Sequence, residues 1–177
     1  MNRHQLATLL SWAGEQGFHG RKRLQKVVFF LQQAGCDLQC HYTLHHFGLY
    51  SRDVADTCDE MVAAELVEET GGLKKGSMLY AYKLKPDILK LVDEAPEPRV
   101  HQFCDLGKRL IGADLWQLDL GSTILFFRRQ SLDWASALKE ACMFKKVSPE
   151  AGASRDSLNF AKNWRQPLPS IKSVTVG

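Results

Sequence analysis

Cys36, Cys40, His41, His45 and His46 form the densest group of metal-ligating residue types in the chain. Thiolate and imidazole are zinc ligands, and a structural site typically draws on two ligand pairs about twelve residues apart. Here the pairs Cys36/Cys40 and His41/His45 abut. The alternation from His41 to Phe47 predicts a short strand, which puts His41 and His45 on one face and His46 on the other. One ion cannot gather all five. The reading is therefore packed or half-exposed cysteine and histidine, with no metal and no cofactor.

Nucleophilic chemistry finds no better footing. A catalytic cysteine needs a base held beside its thiolate, and no local signature supports such a pair. Cys58 and Cys142 fall on apolar helical faces, where small buried cysteines are common. Ser122 follows Gly121 without the rest of a nucleophile elbow. Neither a phosphate-binding glycine loop nor a dinucleotide glycine pattern occurs, and Gly71-Gly72 reads as a hairpin turn. No catalytic residue is assigned, and the expectation is a protein that is not an enzyme.

Charge is the more informative chemistry. The net charge is only +3. Residues 1–35 carry five basic side chains and one acidic, 36–72 one basic and eight acidic, and 73–90 five basic and one acidic. Arg21, Lys22, Arg23, Lys74 and Lys75 are the candidates for contact with phosphate, although a solvated surface face explains such residues better. Between them lies a segment, Ser51 to Glu65, with Arg52 set against Asp53, Asp56, Asp59, Glu60 and Glu65.

These groups must be positioned by the elements that periodicity predicts. Leu6, Leu9, Leu10 and Ala13 give a helix over 3–16. Leu24, Val27, Val28 and Leu31 give a second with one apolar stripe, stopped near Gly35. After the strand at 41–47 and a Gly48–Ser51 turn, Ser51 reads as the cap of a third helix whose inner face is Val54, Cys58, Met61 and Val62. Leu66–Thr70 and Leu79–Leu84 form a hairpin with a Lys74-Lys75-Gly76 tip. This order (helix, helix, strand, helix, hairpin) is that of a winged helix-turn-helix. A short helix at Pro86, an acidic Asp93–Pro98 linker and helices near 99–111, 114–129, 132–145 and 154–165 follow.

Adjacent aromatics on a helix project about 100° apart. One member of Phe29-Phe30 and one of Phe126-Phe127 is thus expected to join the two halves or face a partner. Tyr50, in the turn before the acidic helix, is a similar candidate.

A length of 177 residues, with 45% hydrophobic and 24% charged residues, fits one folded body and excludes dominant disorder. No run approaches the roughly 18 apolar residues of a spanning helix. Five cysteines without a C-x-x-C pair, behind a start lacking an apolar leader, suggest a cytoplasmic protein.

The run Leu24-Gln25-Lys26-Val27-Val28-Phe29-Phe30-Leu31, followed by Tyr42 to Phe47 and Gly48-Leu49-Tyr50-Ser51-Arg52-Asp53-Val54, resembles the L-Q-K helix and G-P-Y-S turn of bacterial YwgA-like proteins. Those are distantly similar to the Panacea (SocA-like antitoxin) domain. Gly121 to Lys146 resembles the helical second half of that group, where an apolar helix precedes one ending near a lysine. Leu49 stands where the pattern has proline. The resemblance implies a mostly helical regulatory module without catalysis, and a protein partner, a cognate toxin among the possibilities.

The combined reading is a mainly α protein with a small β-hairpin: a winged-helix-like part at 1–92, a helical part at 98–166 packed on it, and a mobile tail at 167–177. In a helix-turn-helix the recognition helix lies between two rows of phosphate. The −4 sum of residues 51–65 opposes that by Coulomb repulsion. The leading expectation is a regulatory protein-binding module of antitoxin type, contacting its partner through Tyr50, Arg52, Asp53, Asp56 and Asp59. The alternative is a DNA-binding regulator using Arg21, Lys22, Arg23, Lys74 and Lys75.

Overall fold

The computed structural model of the chain describes residues 1–46, 48–74, 77–130 and 132–164. It is mainly helical with small antiparallel sheets. The first part runs α1 (Arg3–Ser11), a short 3-10 turn, β1 (Phe18–His19), α2 (Arg21–Gln33), β2 (Thr43–His45), β3 (Gly48–Tyr50), α3 (Arg52–Ala63), β4 (Val67–Lys74) and β5 (Ser77–Leu84). The second part is helical: α4 (Pro86–Glu94), α5 (Pro98–His101), α6 (Cys104–Gly112), α7 (Leu115–Arg129), α8 (Trp134–Lys145) and α9 (Gly152–Asn163).

Asn2 opens α1 with a reciprocal capping box to Gln5. The helix ends five residues before the predicted limit, at Ser11, because the chain turns through Gly14 at φ +60°. Strand β1 escapes periodicity altogether, being two residues long. It pairs with β5 (Phe18 opposite Tyr82) and gives a three-stranded sheet of order β1-β5-β4.

The predicted strand at 41–47 is shorter and has a partner. Strands β2 and β3 form a tight hairpin, with Thr43 opposite Tyr50 and Leu44 opposite Leu49, so Gly48–Tyr50 is extended rather than a turn. The predicted 99–111 helix is two helices, broken at Gln102–Phe103. Ser51 does occupy the cap position of α3, yet its hydroxyl makes no capping bond.

The largest departure concerns α2. A stripe predicts one buried face, but Leu24, Lys26, Val27, Val28, Phe29, Phe30 and Leu31 are all buried, together with Gln25 and Gln33. The helix is a central post. Phe30 meets Phe160 and Trp164 of the last helical segment at 5.3 and 6.1 Å, while Phe29 meets Tyr42 at 5.1 Å. Both members of the pair are therefore internal, and Phe30 joins the halves. A polar thread adds to this. Arg23 donates to the carbonyls of Ile111 and Ala113, where α6 runs out of intrahelical donors.

One hydrophobic core runs through both parts, from Leu6 and Leu9 through Val54 and Met61 to Leu118, Ile124 and Ala161. Among the described residues no single helix is long and apolar enough to cross a membrane. The tail at 167–177 lies outside the described residues.

Candidate functional site: a buried lysine–aspartate cluster beside an open pocket

Two sequence motifs meet in space. Leu24-Gln25-Lys26 lies in α2, and Gly48-Leu49-Tyr50-Ser51 forms β3 and the entry to α3. Gln25 clasps the backbone of Ser51 from both sides, accepting from its N–H at 2.8 Å and donating to its carbonyl at 3.0 Å. Lys26 donates to the Leu49 carbonyl at 2.5 Å. The helix thus hydrogen-bonds the main chain that precedes α3 and fixes where α3 begins.

Lys26 is 1% exposed, an unusual place for an ammonium group. Its counter-charge comes from the other half of the chain. Asp119 of α7, also 1% exposed, has Oδ1 at 3.6 Å from Lys26 Nζ. The other oxygen, Oδ2, takes Lys22 Nζ at 2.6 Å and Lys145 Nζ at 2.7 Å. Three lysines from α2 and α8 therefore share one carboxylate.

Burial pushes the Lys26 ammonium down to about 8, against the pull of Asp119 and with help from Lys145 and Lys22. Burial lowers Lys145 as well, with Asp119 opposing. For Asp119 burial works upward, but hydrogen bonds from Lys145 and Lys22 and the charge of Lys26 hold it below the ordinary carboxylate value. Gly48 sits against this cluster at φ +115°, where a Cβ would come within 2.8 Å of Lys145 Nζ and 2.9 Å of Asp119 Oδ1.

Beside the cluster opens a cavity of about 440 Å³ between α2, the β2–β3 hairpin and α3. Arg21, Lys22, Lys26, Gln25, His45, Tyr50 and Asp59 supply its polar lining, and Leu24, Leu49, Val54 and Tyr82 are among its apolar walls.

The sequence-predicted residues fall on both sides of this pocket. Tyr50 is 37% exposed, its ring edge-on to His45. Arg52 and Asp56 form an open i,i+4 pair, and Asp59 is exposed. Asp53 differs from these: its carboxylate accepts from the His41 backbone at 2.7 Å and holds the ring at 3.3 Å, contacts that lower its pKa. Four of the five proposed partner residues thus face outward, and the fifth anchors the loop.

The basic group is dispersed. Arg21 pairs with Glu69 at 2.5 Å and stacks over Tyr80, Lys22 turns to Asp119, and Arg23 is tied to the α6 carbonyls. They do not form one stripe. Lys74 ends β4 and Lys75 lies outside the described residues.

Among the described residues no group of three His, Cys, Asp or Glu could hold a metal ion. Cys36 and Cys40 are buried, and burial pushes their thiols up to about 12 and 11, as it pushes Cys58 to about 12. Cys142 is buried too, and Cys104 is half-buried. A thiol reagent at neutral pH is expected to label Cys104 in the folded protein and the other four cysteines only after denaturant, which a timed labelling experiment reads by mass. The Ser122 hydroxyl donates to the Asp119 carbonyl within its own helix.

Sequence reasoning missed Asp119, Lys26 and Lys145 as a unit. The available signal was a lone acid in the apolar run Leu118–Leu125 and a lone lysine inside Leu24–Leu31. No model of a known protein family matches the chain, and no curated protein matches it either.

Proposed function

We propose that the chain is a non-enzymatic regulatory module, of antitoxin type or similar, whose acidic α3 docks a basic surface on a protein partner. The observation that carries this reading is the outer face of α3. Asp56, Asp59 and Glu60 are exposed there, Asp56 beside Arg52 and Glu60 beside Arg3, while Arg21, Lys22 and Arg23 each have partners within the molecule. A helix with that charge attracts lysines and arginines of another protein and repels a phosphate backbone.

The scaffold is read as a winged helix. Elements α1, β1, α2, α3, β4 and β5 follow that order, with the sheet order β1-β5-β4 in support and the β2–β3 hairpin as an insertion before α3. Fold alone does not select DNA as the ligand. The resemblance to YwgA-like and Panacea sequences points the same way, and its two motifs are the ones that clasp each other at Gln25–Ser51.

Co-purification with the products of flanking genes is the test. A toxin-like neighbour is expected to bind the parent chain and to lose at least about tenfold in affinity with Asp56→Lys/Asp59→Lys, two charge reversals on an exposed face. Binding that ignores the reversal counts against the surface. Duplex DNA bound at low salt with a steep salt dependence would instead favour the nucleic-acid reading through Lys74, Lys75 and the start of α2.

A further inference from the structure

We infer that the cavity between α2, the β2–β3 hairpin and α3 is a binding site for a small phosphate monoester with an apolar body, held by Lys22 and Lys26. The first support is an incompletely answered charge. Lys26 is fully enclosed, has one short hydrogen bond, to a neutral carbonyl, and stands 3.6 Å from a carboxylate oxygen, beyond hydrogen-bond reach. The rest of that carboxylate serves Lys22 and Lys145. An ammonium group has three donors, so Lys26 has donor capacity left, and it is one of the residues that line the cavity.

The second support is the make-up of the cavity. Lys22 and Lys26 are one helical turn apart on α2 and therefore share a face. Lys22 and Arg21 are each about half exposed and line the cavity. Three cations in the lining suit a dianion better than a monoanion even with Arg21 paired to Glu69 and Lys22 to Asp119, since charge-assisted hydrogen bonds to phosphate oxygens are short and strong. Leu24, Leu49, Val54 and Tyr82 add apolar lining that a bare inorganic ion would leave unused. The lining contains one carboxylate, Asp59, which is exposed and does not pair with either lysine. A volume of about 440 Å³ falls within the span of small-molecule sites. The site does not rest on the docking reading, although Tyr50 and Asp59 belong to both surfaces.

The probes are phenyl phosphate, benzoate and inorganic phosphate, titrated calorimetrically into the full chain in a phosphate-free buffer. Phenyl phosphate is expected to bind at least about tenfold tighter than either of the others, benzoate lacking the second charge and inorganic phosphate lacking the apolar body. Lys22→Ala, a half-exposed position, is expected to keep its fold and lose about tenfold in phenyl phosphate affinity. Lys26→Met is expected to abolish binding. Since that change also alters the buried cluster, its fold is checked by circular dichroism, and Lys22→Ala carries the test if it fails. Lys162→Ala on α9, outside the lining, serves as the control and is expected to bind as the parent does. The inference is overturned if phenyl phosphate does not bind at millimolar concentration, if Lys22→Ala binds it unchanged, or if benzoate binds as tightly.

Discussion

Replacing Asp119 with alanine is expected to lower the unfolding free energy by about 3–5 kcal/mol, the range for stripping a buried ion pair of one partner. The carboxylate is the acid that Lys22, Lys26 and Lys145 share, and Lys26 and Asp119 are each 1% exposed. Without it a buried ammonium has only the Leu49 carbonyl, and Lys145 loses its 2.7 Å contact. Urea denaturation at neutral pH measures the loss. A Lys26→Met/Asp119→Ala double variant is expected to be more stable than the sum of its single changes predicts, because an apolar side chain needs no counter-charge.

The pH dependence has a defined sign. The folded value of Lys26, about 8, lies below the unfolded lysine value, so its charged form costs stability below pH 8 and that cost fades as the pH rises toward the unfolded value. Removing Asp119 deepens this depression, and the gap between variant and parent should close as the pH is raised through about 8. Comparison at equal pH is essential. The raised thiols of Cys36, Cys40 and Cys58 act in the opposite sense, with stability full below the unfolded thiol value and lost as the pH climbs through about 11 to 12. A gap that stays constant from pH 7 to about pH 9 would show that Asp119 is not the group compensating Lys26.

The second large effect is expected at Gly48→Ala, at about 3 kcal/mol or more. Two costs combine. A φ of +115° is a conformation that side chains rarely adopt, worth about 1–3 kcal/mol. The new methyl would also stand 2.8 Å from Lys145 Nζ and 2.9 Å from the buried Asp119 Oδ1, so relief means stretching the ion cluster. Gly72→Ala is the matched control, since a Cβ there meets nothing within 4 Å. Thermal unfolding of the two variants side by side should give a drop of many degrees for the first and almost none for the second. Equal melting temperatures would mean that Gly48 has no structural demand on it.

Much of the fold could be read from spacing. The apolar face Val54, Cys58 and Met61 is buried as the i, i+4, i+7 pattern requires. The hairpin around Lys74 follows from its β-rich flanks, and β4 and β5 pair from Val67–Leu84 to Lys74–Ser77. Two-residue β1 gives periodicity nothing to count. For α2, a stripe of leucine and valine cannot reveal that helices from the far half cover the remaining faces, because those contacts are long-range.

The site was legible only in fragments. Gln25, Lys26 and Gly48 stand in recognisable local motifs, but their reason is tertiary: a glutamine that clasps Ser51, a lysine that needs Asp119, and a glycine pressed on both charges. Reading Arg21, Lys22 and Arg23 as one basic surface fails for a geometric reason. Consecutive helical residues point 100° apart, and each finds a different internal partner.

The tie between Arg23 and the end of α6, eighty-eight residues further on, bears on how the protein is made. A ribosome delivers the amino-terminal part first, so α2 emerges with Leu24, Val27, Val28, Phe29, Phe30 and Leu31 uncovered and with a charge whose mate has yet to be translated. Such a nascent chain is sticky until α7 and α9 arrive, and synthesis in a cell-free system lacking chaperones should yield mostly aggregate, with soluble product restored when a chaperone that holds unfolded chains is added.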